Sequence, residues 1–592
     1  MKFLADLFPY NSSERKIFFS IIFLGLALRI IYLWEFSNLP HFGFAIGPDV
    51  QEYHERALEI LNGQIFPQTP EIHAPLYSFF LALCYKLNCS IPMVRIIQIL
   101  INFAAYTAIV PLLRKKSGSF RLQMWYLFFA AAVPILFFHQ GELVSETLIA
   151  PLTAAFFWLR EIYREKHKII WQIGAGTALA GMILTHGLMI FFAIGILAWE
   201  LCHKNFQKSL LLLLGISLLT VPVLTAKTLF YGKFTGIQSN SAYNLWIGNN
   251  PAATGGCYLR PGKMWRTPLE NGKSEARKHG ISENRFFLKK VTDFYIHHPA
   301  EAASLLLKKT GLLFYPYEPI AGADSEALIR DTNVQLFGNA FFVMLLCFAG
   351  CGIFFAIKDQ RNDFSDFYIL TASIAIGLIL TVVSGRYRQS LMPGLLLLGA
   401  IGAVGLKKHA FWLIAAVLGI FWGFMLPQPV NSAEYASIAG EAYYHKKDFV
   451  NAEKLLLFAE RSIDDPARFD NLLGAIAEEK KDFSEAERRY RRAILLEPDF
   501  ADAYLNLGAL LFHAPGKRDE AVSLIKKSLE RKKSLPSAYN FLAIDAAAQE
   551  DYDRAEKLFA LALKYDPDNT GYQKNLHICQ KLSDRKKRNL KK

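Results

Sequence analysis

Cysteine is scarce: seven in 592 residues (Cys84, Cys89, Cys202, Cys257, Cys347, Cys351 and Cys579), mostly in or beside apolar segments. No disulfide framework or zinc-ligand spacing can be read from them, and Cys347 and Cys351 stand one helical turn apart inside an apolar run, which suits packing. Charge is low at 20% of residues, against 52% hydrophobic ones, and this excludes an ordinary soluble protein. No Gly-rich phosphate loop follows a strand-like segment, so neither a P-loop nor a nucleotide-sugar-binding fold is expected. The formal net charge of +14 is scattered over loops with no recognition motif, which argues against a nucleic-acid partner and for basic loops held against anionic lipid. The N-terminus has charges and then a long apolar run without a small-residue cleavage site, as expected of a retained first helix.

Long apolar runs dominate what remains. Segments 17–36, 91–113, 121–138, 143–159, 169–185, 187–202, 209–227, 335–357, 366–383, 389–406 and 409–427 approach or exceed the roughly 20 residues that span a bilayer. Segment 73–88 reads as half-buried or re-entrant, and 303–316, with Lys308 and Lys309, as interfacial. If every run crosses, the clusters Arg15–Lys16, Arg114–Lys116, Arg164–Lys168, Lys204 with Lys208, Lys358 with Arg361, and Lys407–Lys408 share one side, which the positive-inside rule makes cytoplasmic. The Asp49 loop, the 139–142 turn, the 229–302 loop, the Arg386 turn and everything after residue 427 then lie outside.

Beyond Pro427 the text turns charged and repeats with a period near 34 residues, the tetratricopeptide spacing. Ala439, Gly440, Tyr443, Ala452 and Ala459 begin the series. Leu473, Gly474, Ala477, Ala486, Tyr490, Ala493 and Pro498 follow, then Tyr504, Leu507, Gly508 and Ala521 with one inserted residue. Tyr539, Leu542, Ala543, Ala555, Phe559, Ala562 and Pro567 complete it. The expected organisation is a transmembrane domain over 1–430, about four repeats over 431–570, and a basic C-terminal tail over 571–592 whose end, SDRKKRNLKK, is expected to be disordered. The expected fold class is all-α: a polytopic bundle of about 11–13 spans followed by an α-solenoid.

Asp49 stands where the chain leaves the first span, and an acid held at a bilayer surface is a functional candidate by its cost alone. Around it the order of motifs carries a resemblance: the Asp49 loop and its short helix, APLYSFFLAL, SETL at 145–148, YNLWIGNNPAATGG at 243–256 and SGRYRQSLMP at 384–393. Over the first 430 residues the chain resembles polytopic glycosyltransferases of the GT-C type, in particular the protein O-mannosyltransferase and lipid A aminoarabinose transferase group (family 39-like). The resemblance implies transfer of a sugar from a polyprenyl-phosphate carrier to an acceptor outside the cytoplasm, by direct displacement, at a bacterial inner membrane.

It also implies roles. Asp49 becomes the base that deprotonates the acceptor; the alternative is a helix N-cap. Arg386 and Arg388 suit a carrier phosphate or lipid headgroups. His73 could bind that phosphate, hold a divalent metal with Glu71, or be a plain loop histidine. Glu146 would position the acceptor or tune Asp49, with Glu142 one turn away on the same face as an acceptor contact or a solvated neighbour. His186 reads as interfacial. Asn244, Asn249 and Asn250 could meet sugar hydroxyls or simply make turns. The repeats would bind a protein acceptor or partner. Two other classes compete: a non-enzymatic membrane scaffold that presents the repeats, and a transporter. The latter is disfavoured because the charged residues gather at one membrane face and not at the midplane.

Overall fold

The computed structural model describes residues 10–67, 70–256, 263–315, 334–406, 432–463, 465–567 and 569–590. Regular structure among them is helical throughout. The chain divides into two compact units: residues 1–57 with 66–431, and 432–592 with the short segment 58–65. The expected span 409–427, the Lys407–Lys408 pair and Cys257 lie outside the described residues.

The first unit contains, in chain order, α1 (Ser12–Ser37), α2 (Pro48–Leu61), α3 (Leu76–Lys86), α4 (Ile91–Ser117), α5 (Phe120–Ala132), α6 (Ile149–Lys166), α7 (Ile169–Thr185), α8 (Met189–Cys202), α9 (Phe206–Tyr231), α10 (Ser241–Gly248), α11 (Pro299–Leu313), α12 (Val334–Lys358), α13 (Ser365–Leu380) and α14 (Met392–Leu406). Five of the described helices are long and apolar enough to cross a membrane, and six if one bent pair counts as a single span. The expectation of about eleven crossings is therefore met in part. The runs at 169–185, 187–202 and 366–383 fold as helices of 17, 14 and 16 residues, roughly 21–26 Å at 1.5 Å per residue, against a hydrocarbon core of about 30 Å. The run at 143–159 becomes helical only at Ile149, because residues 145–148 form a tighter 3-10 turn.

Close backbone approach holds these helices together. A Cβ on Gly402 would meet the Phe348 carbonyl, and one on Gly352 that of Leu398, so α12 and α14 touch main chain to main chain. Gly176 and Gly215 do the same for α7 and α9. Small residues serve this purpose in lipid, where apolar packing against lipid offers no net drive.

One span is broken. The helix pair Phe120–Ala132 and Ile135–Gly141 bends by 60° around Pro134, which has no amide hydrogen to continue the ladder. The carbonyls freed there are met by Arg29 of α1, whose guanidinium donates to Ala130 O at 3.0 Å and Ala131 O at 3.2 Å while lying over the Phe103 and Phe137 rings at 4.1 and 4.9 Å. Arg29→Leu should therefore cost about 2–5 kcal/mol, because two buried carbonyls lose their donor. A fall in the thermal midpoint in detergent, with the helical content kept, is the expected reading; an unchanged midpoint would contradict this account.

The two ends of the bundle differ in charge. At one end Arg160 of α6 bridges Glu200 of α8 at 2.6 Å and Asp366 of α13 at 3.0 Å. Arg164 reaches Asp366 at 2.7 Å, and Lys116 of α4 reaches Glu161 at 2.8 Å. At the other end lie the start of α4, the turn before α6, the turn before α8 and the chain after α13. α4, with 27 residues, separates the two ends by roughly 40 Å.

In the second unit, four helix pairs repeat: Ser432–His445 with Phe449–Glu460, Pro466–Glu479 with Phe483–Leu496, Ala501–Phe512 with Arg518–Arg531, and Pro536–Ala548 with Tyr552–Tyr565. Gly440, Gly474 and Gly508 lie against Leu456, Tyr490 and Ile525 of the paired helix. Ala452, Ala486, Ala521 and Ala555 are fully buried. These are the tight helix-to-helix positions that the periodicity predicts. The helix Thr570–Leu590 runs into the end expected to be disordered, and ahead of that end Cys579 and Leu576 pack with Ala555 and Phe559 of the preceding hairpin.

Candidate active site

The site starts from a face of α2. Asp49, Glu52, Tyr53 and Arg56 stand at i, i+3, i+4 and i+7, one side of a helix. The helix begins at Pro48, a residue preorganised for a first turn, so Asp49 lies inside that turn and not at the expected N-cap position. Further along the same face, Arg56 Nε meets Glu71 Oε1 at 3.1 Å. Lys227 of α9 meets the other oxygen of Glu71 at 3.1 Å and the Ile237 carbonyl at 2.9 Å. Glu71 thereby pins the loop that returns toward α2, and His73, two residues on, comes back over Asp49.

Three distant segments meet there. Arg386 Nη2 donates to Asp49 Oδ2 at 2.8 Å, and its Nε lies 2.9 Å from Glu146 Oε1. His73 Nε2 is 3.6 Å from Asp49 Oδ1 and 3.3 Å from Glu52 Oε2. His186 Nε2 is 3.7 Å from Glu146 Oε1, and its ring packs on Tyr387 with centroids 4.6 Å apart. Glu146 projects from the 3-10 turn Ser145–Leu148. Had α6 started at residue 143, as its apolar pattern suggests, Glu146 would be one more position on a regular helix.

The backbone that carries Arg386 is braced from behind. At the end of α13, Leu380 O accepts from Asn249 Nδ2 at 2.9 Å and Thr381 O from Lys309 Nζ at 2.7 Å. Lys309 also donates to Asn249 Oδ1 at 2.9 Å, and burial draws its ammonium down to about 8. A Cβ on Gly248 would collide with the Thr381 carbonyl, so glycine lets α10 abut this bend. The chain then runs extended through Ser384 into the single turn Gly385–Arg388.

Electrostatics follow from this geometry. Burial pulls the Asp49 carboxyl upward, but Arg386 and His73 outweigh it and hold it well below the usual carboxylate range. Burial likewise raises Glu146, and Arg386 with His186 more than cancels this, leaving it lowered. Glu142 is different. It is buried beside His139, with its main-chain carbonyl held by Gln98 Nε2 at 2.8 Å, and burial pushes its carboxyl up despite His139, Arg386 and Arg95. His186 is drawn down by burial against the pull of Glu146.

Several expected residues do other work. Arg388, 1% exposed, gives Nη1 to the Tyr315 carbonyl at 2.6 Å and stacks on Phe342, so it braces the bundle beside the site. Asn249 spends its amide on Leu245 O and Leu380 O and its oxygen on Tyr295 and Lys309. Asn250 caps Trp246 O and Ile247 O and accepts from Ala252 N. Both side chains are engaged within the scaffold beside the site. Asn244 is exposed and accepts from Asn240 at 3.4 Å. Glu71 pairs with Arg56 and Lys227, and His73 faces Asp49 and Glu52. Among the described residues no group of three or more His, Cys, Asp or Glu side chains could hold a metal ion. Glu52 and Tyr53 escaped the sequence reading, although their spacing from Asp49 marks them as sharing its helix face. His186, read as interfacial, lies beside Glu146.

Comparison with known proteins adds a partial likeness. No protein-family profile matches the chain. A stretch of 118 residues, 19% of this chain, is 36% identical to Protein O-mannosyl-transferase Tmtc3 of Drosophila melanogaster. That stretch covers 12% of the relative's length. Among solved structures, MamA is 22% identical with a TM-score of 0.21, over 28% of this chain and 98% of its own. YrrB, described as a TPR protein with an unusual peptide-binding site, is 21% identical at a TM-score of 0.21, over 30% and 89%. Yeast Tom70 is 14% identical at 0.24, over 82% and 96%.

Proposed function

We propose that this chain is an integral-membrane glycosyltransferase that moves a sugar from a polyprenyl-phosphate donor to an acceptor hydroxyl. The observation that carries the reading is the meeting of Asp49, Glu146 and Arg386, which lie up to 337 residues apart in sequence, at the end of the bundle away from the Arg160–Asp366 network. The likeness to a protein O-mannosyltransferase over part of the chain supports the same class.

In this reading Asp49 accepts the acceptor's proton as its oxygen bonds to the anomeric carbon, while the bond from that carbon to the carrier phosphate breaks and inverts the centre. Arg386 has the fork that suits a phosphate oxygen. It is shared between two carboxylates, so a donor phosphate that draws it from Asp49 would raise the basicity of Asp49 as the nucleophile arrives, a coupling that suits a base otherwise held too acidic. Glu146 keeps Arg386 oriented. The site and the repeats face the periplasm of a bacterial inner membrane, and the repeats take a protein acceptor or partner. The test is transfer by the purified full chain from a panel of polyprenyl-phosphate sugars set against the matching nucleotide sugars. Turnover confined to the lipid-linked donors supports the reading. Turnover of nucleotide sugars overturns the lipid-linked donor, and turnover of none removes the reading and favours the scaffold.

A further inference from the structure

Glu52 stands one turn after Asp49, and like charges at this spacing repel. Both carboxylates converge on a single atom, Nε2 of His73, at 3.3 and 3.6 Å. The imidazole is seated firmly. Its ring lies on Tyr53 with centroids 4.6 Å apart and planes 31° apart. Tyr53 is 3% exposed and meets Tyr77 edge-on at 4.9 Å. The loop bearing His73 is pinned two residues earlier by Glu71.

We propose that Glu52 and His73 form a positioning pair for Asp49, in which Glu52 keeps the imidazole cationic and His73 fixes the Asp49 carboxylate plane. This rests on the reading of Asp49 as the base. A nitrogen facing two carboxylate oxygens carries a proton, since a lone pair there would repel both, and two negative charges beside the ring favour the second proton as well. With Arg386 on Oδ2 and His73 at Oδ1, each oxygen has one fixed neighbour, and each keeps a lone pair for the acceptor's proton. The groups that face the imidazole are Asp49, Glu52 and Tyr53 from α2, with Arg386 beyond Asp49 and His186 across the site. Burial pulls His73 down, and Glu52 and Asp49 outweigh it, pushing it up to about 10. The cation is thus present throughout the neutral range and lost only as the pH rises through that value. Glu52 is the more exposed of the two carboxylates, with a side chain 40% exposed against 32% for Asp49. It is therefore the one that can be changed without opening the buried cluster.

The experiment uses the full chain in nanodiscs, comparing wild type, Glu52→Gln and Glu52→Asp. Diethyl pyrocarbonate acylates the neutral imidazole, and peptide mass spectrometry reads His73 alone. His73 of the wild type should resist labelling until the pH nears its raised value, whereas Glu52→Gln should become reactive about one pH unit or more lower. Glu52→Asp should recover much of the protection. In parallel, Glu52→Gln should lower kcat about 10-fold with KM nearly unchanged, and the loss should grow toward alkaline pH. Identical labelling curves for wild type and Glu52→Gln overturn the pair. A shifted curve with unchanged kcat overturns its positioning role. If wild type turns over no donor, the transferase reading fails and takes the role of Asp49 with it, while the labelling curves still decide whether Glu52 holds the charge on His73.

Discussion

Asp49→Asn is expected to lower kcat by about 10³-fold, the middle of the range for loss of a general base, while leaving the donor KM within about threefold. The asparagine keeps the shape of the side chain, and its oxygen can still accept from Arg386, but it cannot take a proton from the acceptor. Arg386 retains Glu146 as a partner at 2.9 Å, so the variant should still insert and fold, with a thermal midpoint lowered by the loss of the Asp49 charge. Because Asp49 is held below the ordinary carboxylate range, its contacts with Arg386 and His73 stabilise the fold at neutral pH and are lost only as the pH falls through that lowered value. An acid limb of kcat/KM in the mildly acidic range, which reports the free enzyme, therefore belongs to another group. Steady-state transfer by matched preparations of wild type and variant checks this. Activity within a few-fold of wild type would remove Asp49 as the base.

Arg386→Lys and Arg386→Gln should separate two duties of one side chain. The guanidinium spans Asp49 and Glu146 with different nitrogens, a reach that a single ammonium cannot reproduce. Arg386→Lys keeps the charge and should lower kcat by about 10²- to 10³-fold, through poorer stabilisation of the departing phosphate. Arg386→Gln leaves two carboxylates facing each other in a buried site. It should also cost about 3–5 kcal/mol of stability, as when one partner of a buried pair is removed. Kinetics and thermal melting of both variants give the answer. A lysine variant that transfers at the wild-type rate would free the arginine from any part in the chemistry.

Much of the second unit was legible because its small residues recur at fixed offsets and each marks a tight approach between two helices. The positions of Asp49, Glu146 and Arg386 at one end of the bundle were legible too, from the alternation of apolar runs and basic clusters. What periodicity could not supply is pairing across distant segments. Arg388 is two residues from Arg386 and looks equivalent in the text, yet its guanidinium meets the Tyr315 carbonyl. Asn249 and Asn250 look like free amides beside a site, but a bent helix end and a local cap consume them. Glu71 reads as a metal ligand until Arg56 and Lys227 close on it. Helix starts were misplaced for a similar reason. A continuous apolar run gives no sign that residues 145–148 will tighten into a 3-10 turn, and that turn is what presents Glu146. The chain's basic end, 583–592, read as disordered because charge dominates its composition, while the Leu576 and Cys579 that dock its helix lie ahead of it.

The most direct test of the central claim is donor turnover by the full chain in nanodiscs, with wild type and Asp49→Asn side by side and a panel of purified polyprenyl-phosphate sugars. The account predicts transfer from at least one donor by wild type and its loss in a variant that still folds and melts cooperatively. A well-folded wild type that turns over no donor, or a variant that matches it, would contradict the account.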